Sequence, residues 1–235
     1  MSSPHHARDE RPHDDPTGSA LAVRKLGRMA YRDGWDLQRE LVEQRAEGLI
    51  PDTLLLLAHD PVVTLGRSGS PAHVVATPDE LAQRGVEFVQ TDRGGDVTFH
   101  GPGQVIGYPI VDLTRRGRDL HRYMRDVEET IIRALGRFGI RAGRIEGLTG
   151  VWVDGAKVAA IGIRVSRWVT HHGFALNVDT DLSYFDLIVP CGIADRPITS
   201  MESLLGRSVD RDAVESALEE AFDEVFHPGL EEMSA

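Results

Sequence analysis

The chain has 235 residues, 41% of them hydrophobic and 27% charged, as in ordinary soluble globular proteins with one large or two small domains. Its formal net charge of -11 argues against general nucleic-acid binding, which needs a basic surface. No apolar run approaches the roughly 20 residues of a membrane span, and the N-terminus lacks an apolar signal segment. A single cysteine excludes an intramolecular disulfide and suits a reducing compartment, so we expect a cytoplasmic protein.

Residues 1–20 are rich in Pro, His, Asp and Ser and nearly free of apolar side chains, which predicts a disordered tail. The three histidines in this tail imply no fixed geometry, so no metal site is predicted. Residues 21–235 are predicted to form a single domain, because we find no internal repeat and the strands in the middle are flanked by helices.

The first half of that domain alternates strands and helices. Leu21 to Leu26 suits an edge strand, and helical spacing predicts a helix over 31–47. Its expected buried positions are Trp35, Leu37, Leu41, Val42 and Ala46. The segment 53–59 (TLLLLAH) indicates a fully buried strand. Shorter elements follow: strands at 62–66 and 86–90, a helix at 79–84, and a loop at 67–71 that is a candidate lid or binding loop.

The second half contains the clearest helices. A strand is predicted over 105–113, and Pro109 places it at a sheet edge or a bulge. Helical spacing over 119–138 predicts a helix that ends at Gly139. The positions expected to be buried in it are Leu120, Tyr123, Met124, Val127, Ile131, Ala134, Leu135 and Phe138. Asp210 caps a final predicted helix that runs to Val225. Strands in the middle and helices on both sides favour an α+β fold with a central sheet.

The segment 93–104, RGGDVTFHGPGQ, contains Gly or Pro at five of its twelve positions. Such glycines often mark hairpin turns. A glycine pair beside an arginine, with a histidine before a second glycine cluster, also suits backbone that lines a narrow ligand channel. The pattern matches neither nucleotide phosphate-loop signature.

Two residues stand out because cysteine and lysine are rare in this chain. Cys191 is the only cysteine and lies between Pro190 and Gly192, and Lys157 is one of two lysines. A lone cysteine is most often a small buried hydrophobic residue, and a lysine after Asp154-Gly155 suits a hairpin tip. If the two side chains meet in space, the lysine would favour the thiolate, and the cysteine would be a nucleophile.

Three segments together resemble the lipoyl(octanoyl) transferases of the biotin/lipoate protein ligase superfamily. They are RGGDVTFHGPGQVIGYPIVDL (93–113), GVWVDGAKVAAIGIRVSRWVTHHGFALNV (150–178) and PCGI (190–193). The resemblance covers the chain from Leu21 onward. It implies a mixed β-sheet flanked by helices, and a single catalytic domain that moves octanoyl or lipoyl groups from acyl carrier protein to a lysine of lipoyl domains.

The same resemblance implies roles for individual residues. It makes Cys191 the acyl-carrying nucleophile and Lys157 its basic partner. The implied acyl-binding residues are Arg93, Gly94, Gly95, Asp96, Val97, Thr98, Phe99, His100, Ala160, Ile161, Gly162, Gly173, Phe174 and Ala175. The single histidine of the family motif corresponds to His172, with His171 as its neighbour. The implied acceptors are lipoyl domains of 2-oxoacid dehydrogenase complexes and glycine cleavage H protein. We expect a monomer that uses no cofactor.

Other functions stay open at this point. An ATP-dependent lipoate–protein ligase would adenylate a free acid and would not need Cys191. A thiol enzyme could move octanoyl between two lipoylated-type proteins, and a hydrolase would release free octanoate. A non-catalytic module could bind carrier protein. Five arginines between 115 and 125 form either a solvated helix start or a docking patch for an acidic partner.

Overall fold

The computed structural model describes residues 21–189 and 196–227. The predicted tail, Cys191 and its neighbours lie outside these ranges. The described strands are β1 Leu21–Met29, β2 Asp52–His59, β3 Val62–Leu65, β4 Glu87–Gln90, β5 Val97–His100, β6 Gln104–Ile110, β7 Gly143–Ile145, β8 Leu148–Val153, β9 Ala156–Ser166 and β10 Val169–Asn177. The described α-helices are α1 Tyr31–Ala46, α2 Pro78–Gln83, α3 Leu120–Gly136, α4 Met201–Leu205 and α5 Arg211–Phe226.

The strands form two sheets. Seven of them are ordered β1-β2-β6-β10-β9-β8-β7, with β1 and β2 parallel and the other neighbours antiparallel. The smaller sheet has the order β4-β3-β5 and also mixes parallel and antiparallel pairs. The predicted α+β fold with a mixed central sheet is confirmed, and β1 lies at an edge as predicted.

Strand alternation in β2 divides the interior into two apolar layers. Leu54 and Leu56 pack with α3 and α5 on one face of the large sheet, whereas Leu55 and Leu57 pack with α1 on the other. We call these the α3–α5 face and the α1 face. No helix among residues 21–189 and 196–227 is long and apolar enough to cross a membrane.

Two predicted core positions are wrong. Leu120 is 39% exposed, because it opens α3 at a first turn that packs against neither apolar layer. Ala46 is exposed at the last residue of α1, where the preceding Arg45 is buried instead. The Arg45 guanidinium lies 2.7 Å from the Asp52 carboxylate, so an ion pair takes the place of an apolar contact.

The predicted sheet edge or bulge at Pro109 is also wrong, because β6 lies between β2 and β10 and its register with β2 is regular through Pro109. The ladder with β2 continues through Pro109, but the ladder with β10 stops at Gly107. There the Thr170 hydroxyl donates to the Pro109 carbonyl at 2.8 Å and accepts from Val111 N at 3.0 Å. A central strand therefore tolerates proline because a threonine side chain bridges the gap in the ladder.

Candidate active site

A pocket that is open to solvent lies on the α1 face of β9 and β10. Segment 93–100 forms its other wall. Its lining residues are Tyr31, Arg93, Gly95, Asp96, Val97, Thr98, His100, Tyr108, Ala160, Ile161, Gly162, His172, Gly173, Phe174 and Ala175. All the residues implied to bind the acyl group line it, except Gly94 and Phe99. Three segments that are distant in sequence therefore meet around one cavity.

Gly94 and Phe99 support the wall from behind. Gly94 N donates to Ile163 O at 2.9 Å, and a Cβ on Gly162 would lie only 2.8 Å from Gly94 O. These two glycines allow the backbones to cross closely. The Phe99 ring turns away and stacks on Tyr184, with centroids 4.6 Å apart, in a separate apolar cluster.

Arg93 is a buried structural anchor. Its guanidinium donates to Thr64 O at 2.7 Å and to Thr64 Oγ1 at 2.9 Å, and a further N–H donates to Gly94 O at 3.0 Å. Because these bonds join the small sheet to the crossing at Gly94, Arg93 fixes the pocket wall against β3.

Lys157 reaches the pocket face through an irregularity of β9. The predicted hairpin turn is present, with positive φ angles of 48° at Asp154 and 83° at Gly155. Trp152 pairs with Lys157 but Val151 pairs with Ala159, so β9 carries one extra residue. This bulge places Lys157 on the same face as Ala160 and Gly162, where regular alternation from Ala160 would place it opposite.

The chain on both sides of residues 190–195 is held at the site. Lys157 N donates to Pro197 O at 2.9 Å, and Thr199 N donates to Lys157 O at 3.0 Å. At the other end, Val189 N donates to His73 O at 2.7 Å. The Lys157 ammonium lies 4.7 Å from the centroid of the Trp152 ring. Cys191 falls outside the described residues, so its pairing with Lys157 stays a prediction.

A second irregularity brings two adjacent histidines to one side of β10. His172 has a positive φ of 54°, and both His171 and His172 turn toward Asp92. His172 Nε2 lies 2.8 Å from Asp92 Oδ1, and His172 N donates to Gln38 Oε1 at 2.7 Å. A non-glycine residue in this conformation is held by its surroundings and is typical of functional sites.

Electrostatics keep this cluster compact. The hydrogen bond from His172 holds the pKa of Asp92 well below its usual range. Burial lowers the pKa of His171 to about 4 and lowers that of His172 as well. The ligand atoms of Asp92, His171 and His172 lie within 4.8 Å of one another, as a metal site would require. However, the Arg164 guanidinium already occupies the second Asp92 oxygen at 3.1 Å, so the cluster is charge-compensated without a cation.

Buried aromatic and imidazole rings complete the wall near Tyr31. His59 Nε2 lies 2.7 Å from the Tyr108 hydroxyl, and the His100 ring stacks on Tyr31. Burial lowers the pKa of His59 to about 4 and that of His100 well below its usual value. Sequence reasoning missed Tyr31 and Tyr108, because no local pattern shows that α1 and β6 reach this pocket. The position of Asp92 directly before the RGG motif was a signal that could have been used.

The arginine cluster is partly neutralised within the chain. Arg116 lies 2.9 Å from Asp126, and Arg125 lies 2.7 Å from Glu128. The Arg118 guanidinium covers the exposed Trp168 ring at 5.5 Å, at the turn between β9 and β10. This turn is the end of β9 farthest from Lys157, so a partner bound there would lie across the pocket from Lys157.

Known proteins match this chain in sequence and in fold. The family described as the lipoyl protein ligase A/B catalytic domain matches residues 30–223. The chain belongs to this family. An octanoyltransferase of Chloroflexus aggregans is 55% identical over 191 residues, covering 80% of this chain and 86% of that protein. An octanoyltransferase of Chloroflexus aurantiacus is 52% identical over 209 residues, covering 88% and 94%.

A solved structure shows the same fold at lower identity. Lipoate-protein ligase A bound with ATP has a TM-score of 0.66 and 18% identity, covering 88% of this chain and 85% of that one. At this identity the likeness concerns the fold alone. The family resemblance drawn from the three motifs is confirmed, and its expected fold with it.

Proposed function

We propose that this protein transfers an octanoyl group from octanoyl-acyl carrier protein to a specific lysine of lipoyl domains. The observation that carries the proposal is the convergence of segments 93–98, 160–162 and 173–175 on one pocket, with Lys157 on the same face of β9. The two octanoyltransferases, which are 55% and 52% identical to this chain over the aligned residues, support it.

A thiol nucleophile suits a thioester donor and an amine acceptor. In the first step the Cys191 thiolate attacks the donor carbonyl, and the carrier thiol leaves with the proton that Lys157 took from Cys191. In the second step the acceptor lysine attacks the acyl-enzyme thioester, which forms the amide and returns Cys191 as the leaving thiolate. Lys157 accepts the proton that the amine loses.

The pocket supplies binding energy for the tail. Ala175 presents an apolar side chain, while Ala160 and Gly162 leave room above β9; the Phe174 and Ile161 side chains pack in the layer on the opposite face and contribute backbone to the lining. Each buried CH₂ contributes about 0.8 kcal/mol, so most of an octanoyl chain gives on the order of 5 kcal/mol before entropy is counted. Much shorter acyl groups would lose most of this energy.

The wider setting follows from the chemistry of this transfer. The acceptors would be lipoyl domains of 2-oxoacid dehydrogenase complexes and glycine cleavage H protein. The single thiol, Cys191, would work in the reducing cytoplasm. The transfer itself balances without a cofactor, because the thioester supplies the driving force, and a monomer carries the whole pocket.

Intact-protein mass spectrometry tests the proposal. The protein is mixed with octanoyl-acyl carrier protein without ATP or acceptor. We expect one octanoyl adduct, mapped to Cys191 and discharged by an apo lipoyl domain. Cys191→Ser should lose the adduct and at least 1,000-fold in transfer rate, as expected when a nucleophile is removed. Lys157→Arg, which keeps the charge but cannot exchange the proton, should lose about 100-fold.

An ATP-dependent ligase is the second candidate, because the matched family also includes lipoyl protein ligase A. That activity would consume ATP and free octanoate, and Cys191→Ser would remain fully active. Transfer of this kind, with no adduct in the experiment above, would replace our proposal.

A further inference from the structure

The floor of the pocket is built from two adjacent cross-strand pairs of small residues. Ala160 pairs with Ala175, and Gly162 pairs with Gly173. On the same face, Lys157 precedes these pairs and the next pair, Arg164 with His171, follows them. The small-residue floor therefore has a charged side chain at each end, which bounds the space available to an extended apolar ligand.

The end of this floor away from Lys157 is closed by backbone. Gly94 O lies so close to Gly162 that a Cβ there would be 2.8 Å from it, and Gly94 N is bonded to Ile163 O. Beyond this crossing, the Asp92 carboxylate is bonded to Arg164 and His172. Because Arg93 ties the crossing segment to Thr64, the barrier cannot yield easily to a longer ligand.

The length of the floor can be compared with that of an acyl chain. Gly162 is five positions beyond Lys157, and the bulge uses one of these steps, so the two lie roughly 13 to 16 Å apart at a strand rise of about 3.3 Å. An extended eight-carbon chain spans roughly 9 Å, given C–C bonds of about 1.5 Å. With its methyl end at the Gly94 crossing, such a chain passes Ala160, and its carbonyl lies roughly 4 to 7 Å from the Lys157 backbone, within reach of the lysine side chain.

We infer that the Gly94–Gly162 crossing is the stop against which acyl length is measured, and that Ala160 is the specificity-determining residue on the path to it. This inference rests on the proposed function. The ligand is the unbranched eight-carbon acyl group of that function, and the inference adds which part of the pocket sets its length. A larger side chain at position 160 fills the path and excludes the tail, whereas glycine widens it.

The test measures kcat/KM for butanoyl-, octanoyl- and decanoyl-acyl carrier protein as donors to an apo lipoyl domain. A single methylene in an apolar pocket changes discrimination by roughly 10- to 200-fold. Ala160→Val should therefore lower the octanoyl-to-butanoyl ratio at least tenfold. Ala160→Gly should raise the use of decanoyl relative to octanoyl severalfold, and it removes only a methyl group if the valine variant fails to fold.

Ala159→Val is the matched control. Ala159 is the neighbouring residue, fully buried on the α3–α5 face, so valine there should lower stability and leave the chain-length profile unchanged. Ala142→Val, at a partly buried position against the same layer, serves if that control does not fold.

The outcomes separate this inference from the function it rests on. If the parent protein transfers octanoyl but folded Ala160 variants keep its chain-length profile, the stop is elsewhere and the inference is wrong. A parent protein that uses butanoyl as well as octanoyl would also overturn it. A parent protein that transfers no acyl group from any thioester would overturn the proposed function.

Discussion

The two faces of the seven-stranded sheet differ in how strictly they follow strand geometry. On the α3–α5 face, Leu54, Val105 and Leu176 alternate regularly and pack against apolar helix residues. The α1 face is regular in β2 but departs from regularity around the pocket. It carries the bulge that places Lys157 beside Ala160, the positive φ of His172 and the gap in the ladder opposite Pro109.

The difference separates a face that buries apolar surface from a face that forms the pocket. Regular alternation maximises apolar burial and follows from hydrophobic periodicity alone. The bulge in β9 and the positive φ of His172 each put a polar or charged side chain where alternation would not. Such departures lower stability locally and persist because surrounding bonds, such as that from His172 N to Gln38, hold them. Substitutions on the two faces should therefore have different consequences.

The largest contrast is expected for two glycine-to-alanine changes. A Cβ on Gly173, in the pocket floor, would lie 2.1 Å from Gly107 O and 2.7 Å from Pro109 Cδ. Gly173→Ala should cost about 3 kcal/mol of unfolding free energy and reduce transfer at least 100-fold, because β6 and β10 must separate. Gly136, exposed on α3, has open space around it, so Gly136→Ala should stabilise by about 0.5–1 kcal/mol. Urea unfolding and transfer rates check both, and equal effects would contradict the contrast.

The pH dependence of stability should report on the imidazoles buried on the α1 face. Burial lowers the pKa of His59 to about 4, so as pH falls from about 6.5 to 4 the unfolded chain takes up a proton that the folded protein does not. This site should therefore remove up to about 3 kcal/mol of unfolding free energy across that window. His59→Gln should flatten the profile by a similar amount in urea unfolding at several pH values. His121→Gln, at an exposed histidine on α3, is the matched control. An unchanged slope in His59→Gln would show that other groups set the acid sensitivity.

The regular face was largely predictable from sequence. The spacing of Val127, Ile131 and Leu135 placed α3, and Asp119 and Asp210 cap α3 and α5 with their side chains. The buried run TLLLLAH became β2, because five successive leucine and alanine residues leave no polar face to expose. Errors arose at helix ends, where Leu120 and Ala46 extend beyond the packed layers.

The residues of the pocket face could be predicted only where they belong to the family motifs. The segments 93–100, 160–162 and 173–175 were found from the resemblance, and the structure brings them together. The bulge at β9 and the turn of His172 depend on register and long-range bonds, which no local pattern contains. Pro109 favoured an edge strand, because proline lacks the N–H donor with which a central strand pairs with its neighbour. In the structure the hydroxyl of Thr170, on β10, bridges this gap instead.

The smallest effect should come from charges on the outer surface of the α3–α5 layer. Arg137 on the C-terminal side of α3 pairs with Glu220 and with Glu224 at 2.5 Å, but all three side chains are at least 31% exposed. Water and salt screen such pairs, so Arg137→Gln should cost less than about 1 kcal/mol, and less still at high salt. Arg122→Gln, at an exposed arginine in the first turn of α3, is the matched control, because Arg133 itself pairs with Glu224 at 3.5 Å. Unfolding in urea at two salt concentrations measures the difference. A loss above about 2 kcal/mol would mean that charge pairs, rather than the apolar contacts of Phe222 and Leu218, hold these helices together.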